Sequence, residues 1–132
     1  MLRLSKKADY GLIALKHLAQ HADESISARE IAEEYRIPAE LLAKVLQRLA
    51  RRGILVSQHG VNGGYILARH PSRISIVDVV EALEGPISIM PCERGSDCQQ
   101  LNVCSVRDPL SKLKAKVVRV LGDTSIYELA VN

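Results

Sequence analysis

Residues 37–67 read IPAELLAKVLQRLARRGILVSQHGVNGGYIL. Pro38 suits the first position of a helix, where its missing N–H costs nothing, and Gly53 suits the position just past the end. Between them Leu41, Leu42, Val45, Leu46 and Leu49 fall on one helical stripe. Glu40, Ala43, Lys44, Gln47, Arg48 and Arg51 fall on the opposite face. Ile54–Val56 and Tyr65–Leu67 are short β-prone runs, and Gln58-His-Gly-Val-Asn-Gly-Gly64 between them supplies Gly and Asn for positive φ angles. The pattern predicts a helix that passes directly into a β-hairpin.

Upstream, Ser27-Ala-Arg-Glu30 fits a capping box: the serine caps the Glu30 amide while the Glu30 side chain reaches back. It opens a short helix from Ala28 to Tyr35, with Ile31 and Ala32 inward. Arg36-Ile37 is then a tight turn. Two short helices across such a turn, the second with a basic and amide-bearing outer face, describe a helix-turn-helix. The hairpin that follows makes it a winged one. Such a face enters a major groove, with Lys44, Arg48 and Arg51 neutralising phosphates and Gln47 contacting a base edge. His59 at the wing tip reaches a minor groove or a phosphate, with Asn62 and Gly63 beside it. Tyr65 reads as core. A solvated helix face has the same charge pattern, so the hairpin carries the argument.

Outward from this unit, Ser5 is placed to cap a first helix over residues 5–21, with Ala8, Leu12, Leu15, Leu18 and Ala19 at helical spacing. Asp9 lies in its first turns, where the helix dipole favours an acid. His17 and His21 read as ordinary surface or boundary residues. Ser75-Ile-Val-Asp78 opens another capped helix that ends at Gly85, with Ile76, Val79, Val80 and Leu83 inward. Near the C-terminus Val106, Leu110, Leu113, Val117 and Val120 recur at heptad steps on a Lys- and Arg-rich helix. Pro109 must lie in its first turn. This seam is the candidate dimer interface, and Ser125 is placed to cap a last turn. The expected fold is mainly α with a small β-hairpin wing. It divides into a winged helix-turn-helix DNA-binding unit (1–85), a cysteine loop (86–105), and a dimerisation helix with its tail (106–132).

Net charge is only +3, but six basic residues and one acid, Glu40, lie between Pro38 and Arg73. A basic patch confined to one segment points to a polyanion partner. Apolar residues make up 47% of the chain and the aromatics are all tyrosine, so the core must be aliphatic. MLRLSKKADYGL lacks the long apolar run of a signal peptide. No stretch approaches the roughly 18 apolar residues of a membrane span. These features predict a cytoplasmic chain with neither a membrane nor a small-molecule substrate as partner. No Gly-rich phosphate loop, metalloprotease His-Glu pattern or serine elbow is present, so an enzyme is not expected.

The motif left over is PCERGSDCQQLNVC, residues 91–104. It holds all three cysteines, Cys92, Cys98 and Cys104, at C-x5-C-x5-C spacing. An odd count in a chain without an export signal argues against a disulfide framework. Zinc loops usually carry about two to four residues between paired cysteines. Wider spacing suits an iron–sulfur cluster, which normally takes four ligands. Arg107 cannot be the fourth, because a guanidinium does not deprotonate in proteins. Asp9, His17, His21, His59, His70, Glu93, Asp97 and Asp108 are candidates, and three reduced thiols without metal remain an alternative.

Four stretches together resemble the winged-helix regulators of the Rrf-two class, the family of IscR, NsrR and the SUF-operon regulators. They are LRLSKKADYGL, IPAELLAKVLQRLARRGIL, GVNGGYIL and the cysteine spacing. The N-terminal wording is closest to the SUF-operon regulators. The resemblance implies a homodimeric transcription factor on a pseudo-palindromic DNA operator, read as a repressor of iron–sulfur assembly genes. Cys92, Cys98 and Cys104 would ligate its cluster. In the IscR-like branch a His three residues after the last Cys completes a [2Fe-2S] site, and here that position is Arg107. In the NsrR branch an N-terminal Asp of the other subunit completes a [4Fe-4S] site, and Asp9 falls at that position. A nitric-oxide-sensing repressor, a metal-free thiol-redox factor and a zinc-stapled factor are the alternatives.

Overall fold

The computed structural model describes residues 4–61, 63–87 and 106–131. In chain order these form α1 (Lys6–Gln20), α2 (Ala28–Tyr35), α3 (Ala39–Arg51), β1 (Leu55–Gln58), β2 (Gly64–Leu67), a 3-10 turn (Pro71–Arg73), α4 (Ile76–Glu84), α5 (Arg107–Asp123) and α6 (Ile126–Val131). Serines open four of the helices. The Ala8, Glu30, Asp78 and Glu128 amides donate to the hydroxyls of Ser5, Ser27, Ser75 and Ser125. At Ser75 the serine amide in turn donates to the Asp78 carboxylate at 3.0 Å, completing a capping box. At Ser27 only the serine half forms.

Helix ends follow equally local rules. Gly53 lies at φ 78°, and the Ile54 and Gly53 amides donate to the Leu49 and Ala50 carbonyls. That is a Schellman motif, sealed by the buried Leu49 and Ile54. The first strand therefore begins at Leu55, one residue later than its β-prone run, although the Ile54 carbonyl still accepts from the Ala68 amide at 2.9 Å. Pro38 stands one place before α3 and not in it, because its ψ of 121° is extended. Pro109 does fall in the first turn of α5.

The core gathers Ala8, Ala14, Leu15 and Leu18 of α1, Leu42, Val45, Leu46 and Leu49 of α3, and Val79, Val80 and Leu83 of α4. Gly11 permits a close approach of α1 and α4: a Cβ there would lie 2.8 Å from a Leu83 methyl. β1 and β2 pair antiparallel, with Leu55 opposite Leu67 and Gln58 opposite Gly64. Ile26 adds an isolated bridge, exchanging two backbone hydrogen bonds with Tyr65. The hairpin is thereby tied to the strap between α1 and α2.

α6 closes the same core. Ile126 is fully buried, its amide donates to the Ile74 carbonyl at 2.8 Å, and the Ile76 amide donates to Thr124 at 3.0 Å. The tail that the sequence groups with the dimerisation helix thus packs on α1 and on the 3-10 turn. Among the described residues no helix is long and apolar enough to cross a membrane.

Candidate nucleic-acid interface

The turn between α2 and α3 hinges on Arg36, the one non-glycine residue with positive φ among the described residues (φ 56°, ψ 43°). A side chain in that region costs about 1 kcal/mol. Burial of Ile37 and its amide bond to the Ala32 carbonyl at 3.0 Å hold the turn shut. α3 therefore leaves α2 at a defined angle, with Leu42, Val45, Leu46 and Leu49 inward and Leu41 half-buried.

The opposite face carries Glu40, Lys44, Gln47, Arg48 and Arg51, all exposed, with Ala43 half-buried among them. An open hollow of about 620 Å³ separates α2 from α3, lined in part by Ala32, Ala39, Ala43, Arg29 and Glu40. Arg48 differs from its neighbours. Its Nε–H donates to the Ala82 carbonyl at 2.9 Å, so this side chain braces α3 against α4 as well as adding charge.

At the wing, His59 and Val61 are exposed, and Asn62 lies outside the described residues. Gly60 has φ 114°, as the loop composition predicts. Gly63 and Gly64 do not; they are needed for space. A Cβ on Gly63 would meet the Gln58 carbonyl oxygen at 2.8 Å, and one on Gly64 the Ile26 carbonyl carbon at 2.5 Å. Gly63 also donates to the Gly60 carbonyl at 3.0 Å, closing the tip. Tyr65 is half-buried against the core.

Cys92, Cys98 and Cys104 lie outside the described residues, as do Glu93 and Asp97. Asp9 stands exposed in the first turn of α1, where Leu4, Ser5, Lys6 and Asp9 frame a hollow of about 460 Å³. Among the described residues no group of three metal-binding side chains converges. Along α5, Val106, Leu113 and Val120 are 52%, 49% and 64% exposed, with Leu110 and Val117 half-buried. Leu121 packs against the core beside this seam.

His17, expected at the surface or its boundary, is buried. Its Nδ1 shares a 2.8 Å hydrogen bond with the Tyr35 hydroxyl. Burial first, and then the neighbouring His21, hold its pKa below the ordinary imidazole value of 6.5, against the pull of Glu34, Glu24 and Glu30.

Two helices across a fixed turn, an exposed basic face and a hairpin docked behind it define a winged helix-turn-helix. The sequence profile of the Rrf2 family, described as "Iron-dependent Transcriptional regulator", matches residues 4–132. The chain belongs to that family. It is similar to an HTH-type transcriptional regulator of Aquifex aeolicus, 34% identical over 127 residues, 91% of this chain and 85% of the relative. It is also similar to the HTH-type transcriptional regulator IscR of Xenorhabdus nematophila, 28% identical over 132 residues, 99% of this chain and 80% of the relative. Among solved structures it is similar to CymR, the global cysteine regulator of B. subtilis. There the TM-score is 0.77 at 27% identity, covering 99% of this chain and 98% of the other.

Proposed function

We propose that the chain is a homodimeric repressor that reads a pseudo-palindromic operator and whose affinity is set by an iron–sulfur cluster, with iron–sulfur assembly genes as its targets. The observation that carries the DNA-reading part is the α3 face. Lys44, Gln47 and Arg51 project from a helix whose angle is held by the Arg36 turn, next to the hairpin. Lys44 and Arg51 neutralise phosphates, and His59 and Gly63 bring the wing to the neighbouring backbone. Gln47 matches an adenine edge in the major groove, and Glu40, the lone acid, matches a cytosine amine. Ala43 leaves room for a thymine methyl. Arg48 divides its role between phosphate charge and the Ala82 carbonyl. The Val106, Leu110, Leu113, Val117 and Val120 seam of α5 pairs two copies, which sets the half-sites about one helical turn apart.

The donor set fits a cluster. Three thiolates are the ligand type that iron–sulfur clusters take, and a carboxylate would have to fill the fourth place. The Asp9 carboxylate is exposed beside a hollow, with no hydrogen-bond or ion-pair partner among the described residues. Cys92, Cys98 and Cys104 would hold the group together with Asp9 of the second copy. When bound, the group supplies a centre sensitive to oxidation, nitric oxide and iron supply. This chain's residues would convert its presence into a fixed relation between α1 of one copy and the loop of the other, and so between two α3 helices. Similarity to CymR of Staphylococcus aureus, solved in an oxidized form, favours one second reading, in which the same thiols respond without metal.

The test is a salt titration. A duplex enriched from a random library by the wild-type chain should bind more weakly as salt rises, and Lys44→Ala and Arg51→Ala should each reduce the slope of log affinity against log salt by about 1. Gln47→Ala should leave the slope alone and cost about 1–3 kcal/mol of discrimination at one base. Unchanged slopes in both charge variants would remove α3 from the interface.

A further inference from the structure

The last turns of α1 and α2 meet at a group of rings that the DNA-reading face does not use. His17 is 7% exposed, the one buried polar or charged side chain among the described residues. Its ring meets Tyr35 edge-on at 84°, with centroids 5.3 Å apart and Nδ1 2.8 Å from the hydroxyl. His21, one turn on, stacks at 4.3 Å. Its Nδ1–H donates to the His17 carbonyl at 2.8 Å, since a carbonyl only accepts. Tyr35 is the final residue of α2. Arg36, with its left-handed backbone, comes next, then buried Ile37, and α3 starts at Ala39. The His17–Tyr35 bond thus holds the residue from which the reading helix is hung.

We propose that His17 is a positioning residue for the helix-turn-helix, acting through Tyr35, and that a proton on its ring weakens operator binding. The proposal rests on the DNA-reading function argued above. Each group facing the ring bears on it. His21 comes from α1, Glu24 from the strap between the helices, and Glu30, Glu34 and Tyr35 from α2. The Tyr35 hydroxyl is pushed above its ordinary range, by burial first and by Glu34 second, so it keeps its proton. With the neutral ring's proton on Nε2, the hydroxyl donates to the bare Nδ1. Protonation puts an N–H on both ring nitrogens. The hydroxyl must then turn round to accept, and a buried charge faces His21.

The sign follows from linkage. The folded His17 pKa is lowered, so the unfolded chain binds the proton more readily. The stabilisation from this group is complete above the unfolded value of 6.5 and is lost as pH falls from there through the folded value.

The test follows binding of the enriched duplex by fluorescence anisotropy from about pH 8 to about pH 5.5, in wild type, His17→Gln and Tyr35→Phe. Contributions common to the three proteins cancel in the comparison. Wild-type affinity should fall about 2- to 10-fold more on acidification than that of His17→Gln, the range one hydrogen bond spans. Tyr35→Phe should already be weaker at the alkaline end, and its His17 ring resonance should titrate at higher pH than in wild type. Identical pH profiles in wild type and His17→Gln, or an unmoved resonance in Tyr35→Phe, would overturn the proposal. If no duplex is enriched, the DNA reading itself fails. Urea unfolding against pH then decides the brace alone: stability should fall below pH 6.5 in wild type and less so in His17→Gln. Parallel curves would refute it.

Discussion

Replacing Gly64 with alanine lowers the stability of the chain by about 3 kcal/mol, a fall of roughly 10 °C in Tm. The added Cβ would lie 2.5 Å from the Ile26 carbonyl carbon, 2.6 Å from its oxygen and 2.8 Å from the Ser27 nitrogen. All three are backbone atoms, so no side-chain rotation relieves the overlap. Either the hairpin or the strap must move, and both are tied by the reciprocal Ile26–Tyr65 bonds of 3.2 and 2.8 Å. Moving them gives up about 0.5–1.5 kcal/mol per bond. It also opens the contact that buries Ile26, which is 3% exposed. Gly53→Ala is the useful contrast. Its Cβ meets nothing within 4 Å, and only the φ of 78° opposes it, a cost of about 1 kcal/mol. Thermal melts of the two variants check the comparison, and a Gly64→Ala protein that melts with wild type would refute the docking of the wing.

Ile126→Ala should cost about 2–5 kcal/mol, as expected for emptying a fully buried site. Its consequence is organisational. Ile126 seals the core from a position near the C-terminus, and its backbone is bonded to Ile74 just ahead of α4. The loss should therefore appear in one cooperative transition covering the whole chain, with α1 and α3 signals melting together. An Ile126→Ala protein that unfolds in two steps, its reading unit intact after the first, would show that the tail is an appendage.

What could be read from the residues alone divides by range. Ser27, Ser75, Gly53 and Gly85 act within one turn of their own positions, so the helix boundaries around them are local facts. The same holds for the α3 stripe, where five Leu and Val residues in nine positions leave little choice of inward face. His17 escaped because it follows Leu15 by two residues and carries no motif. Its hydrogen-bond partner is Tyr35, eighteen residues away, which only the fold supplies. Gly64 reads in the sequence as a turn residue, whereas its need is the approach of Ile26 across the strap. Arg48 sits on the charged face by periodicity, yet its Nε–H is drawn to Ala82 on α4. Each of these depends on a contact between elements, which spacing along one element does not encode. The cysteine motif is the reverse case, conspicuous in the sequence and outside the described residues.

The most direct test of the central claim uses one anaerobic preparation, assayed for iron and sulfide and divided in two. One half keeps its cluster and the other has it removed by a chelator. Both are titrated with the enriched duplex at the same salt. An operator-reading regulator controlled by a cluster predicts affinities that differ by about 5- to 150-fold, the usual span of coupling between two sites. The difference should vanish in Cys98→Ala. Equal affinities in the two halves, with iron and sulfide verified in one and absent from the other, would contradict it.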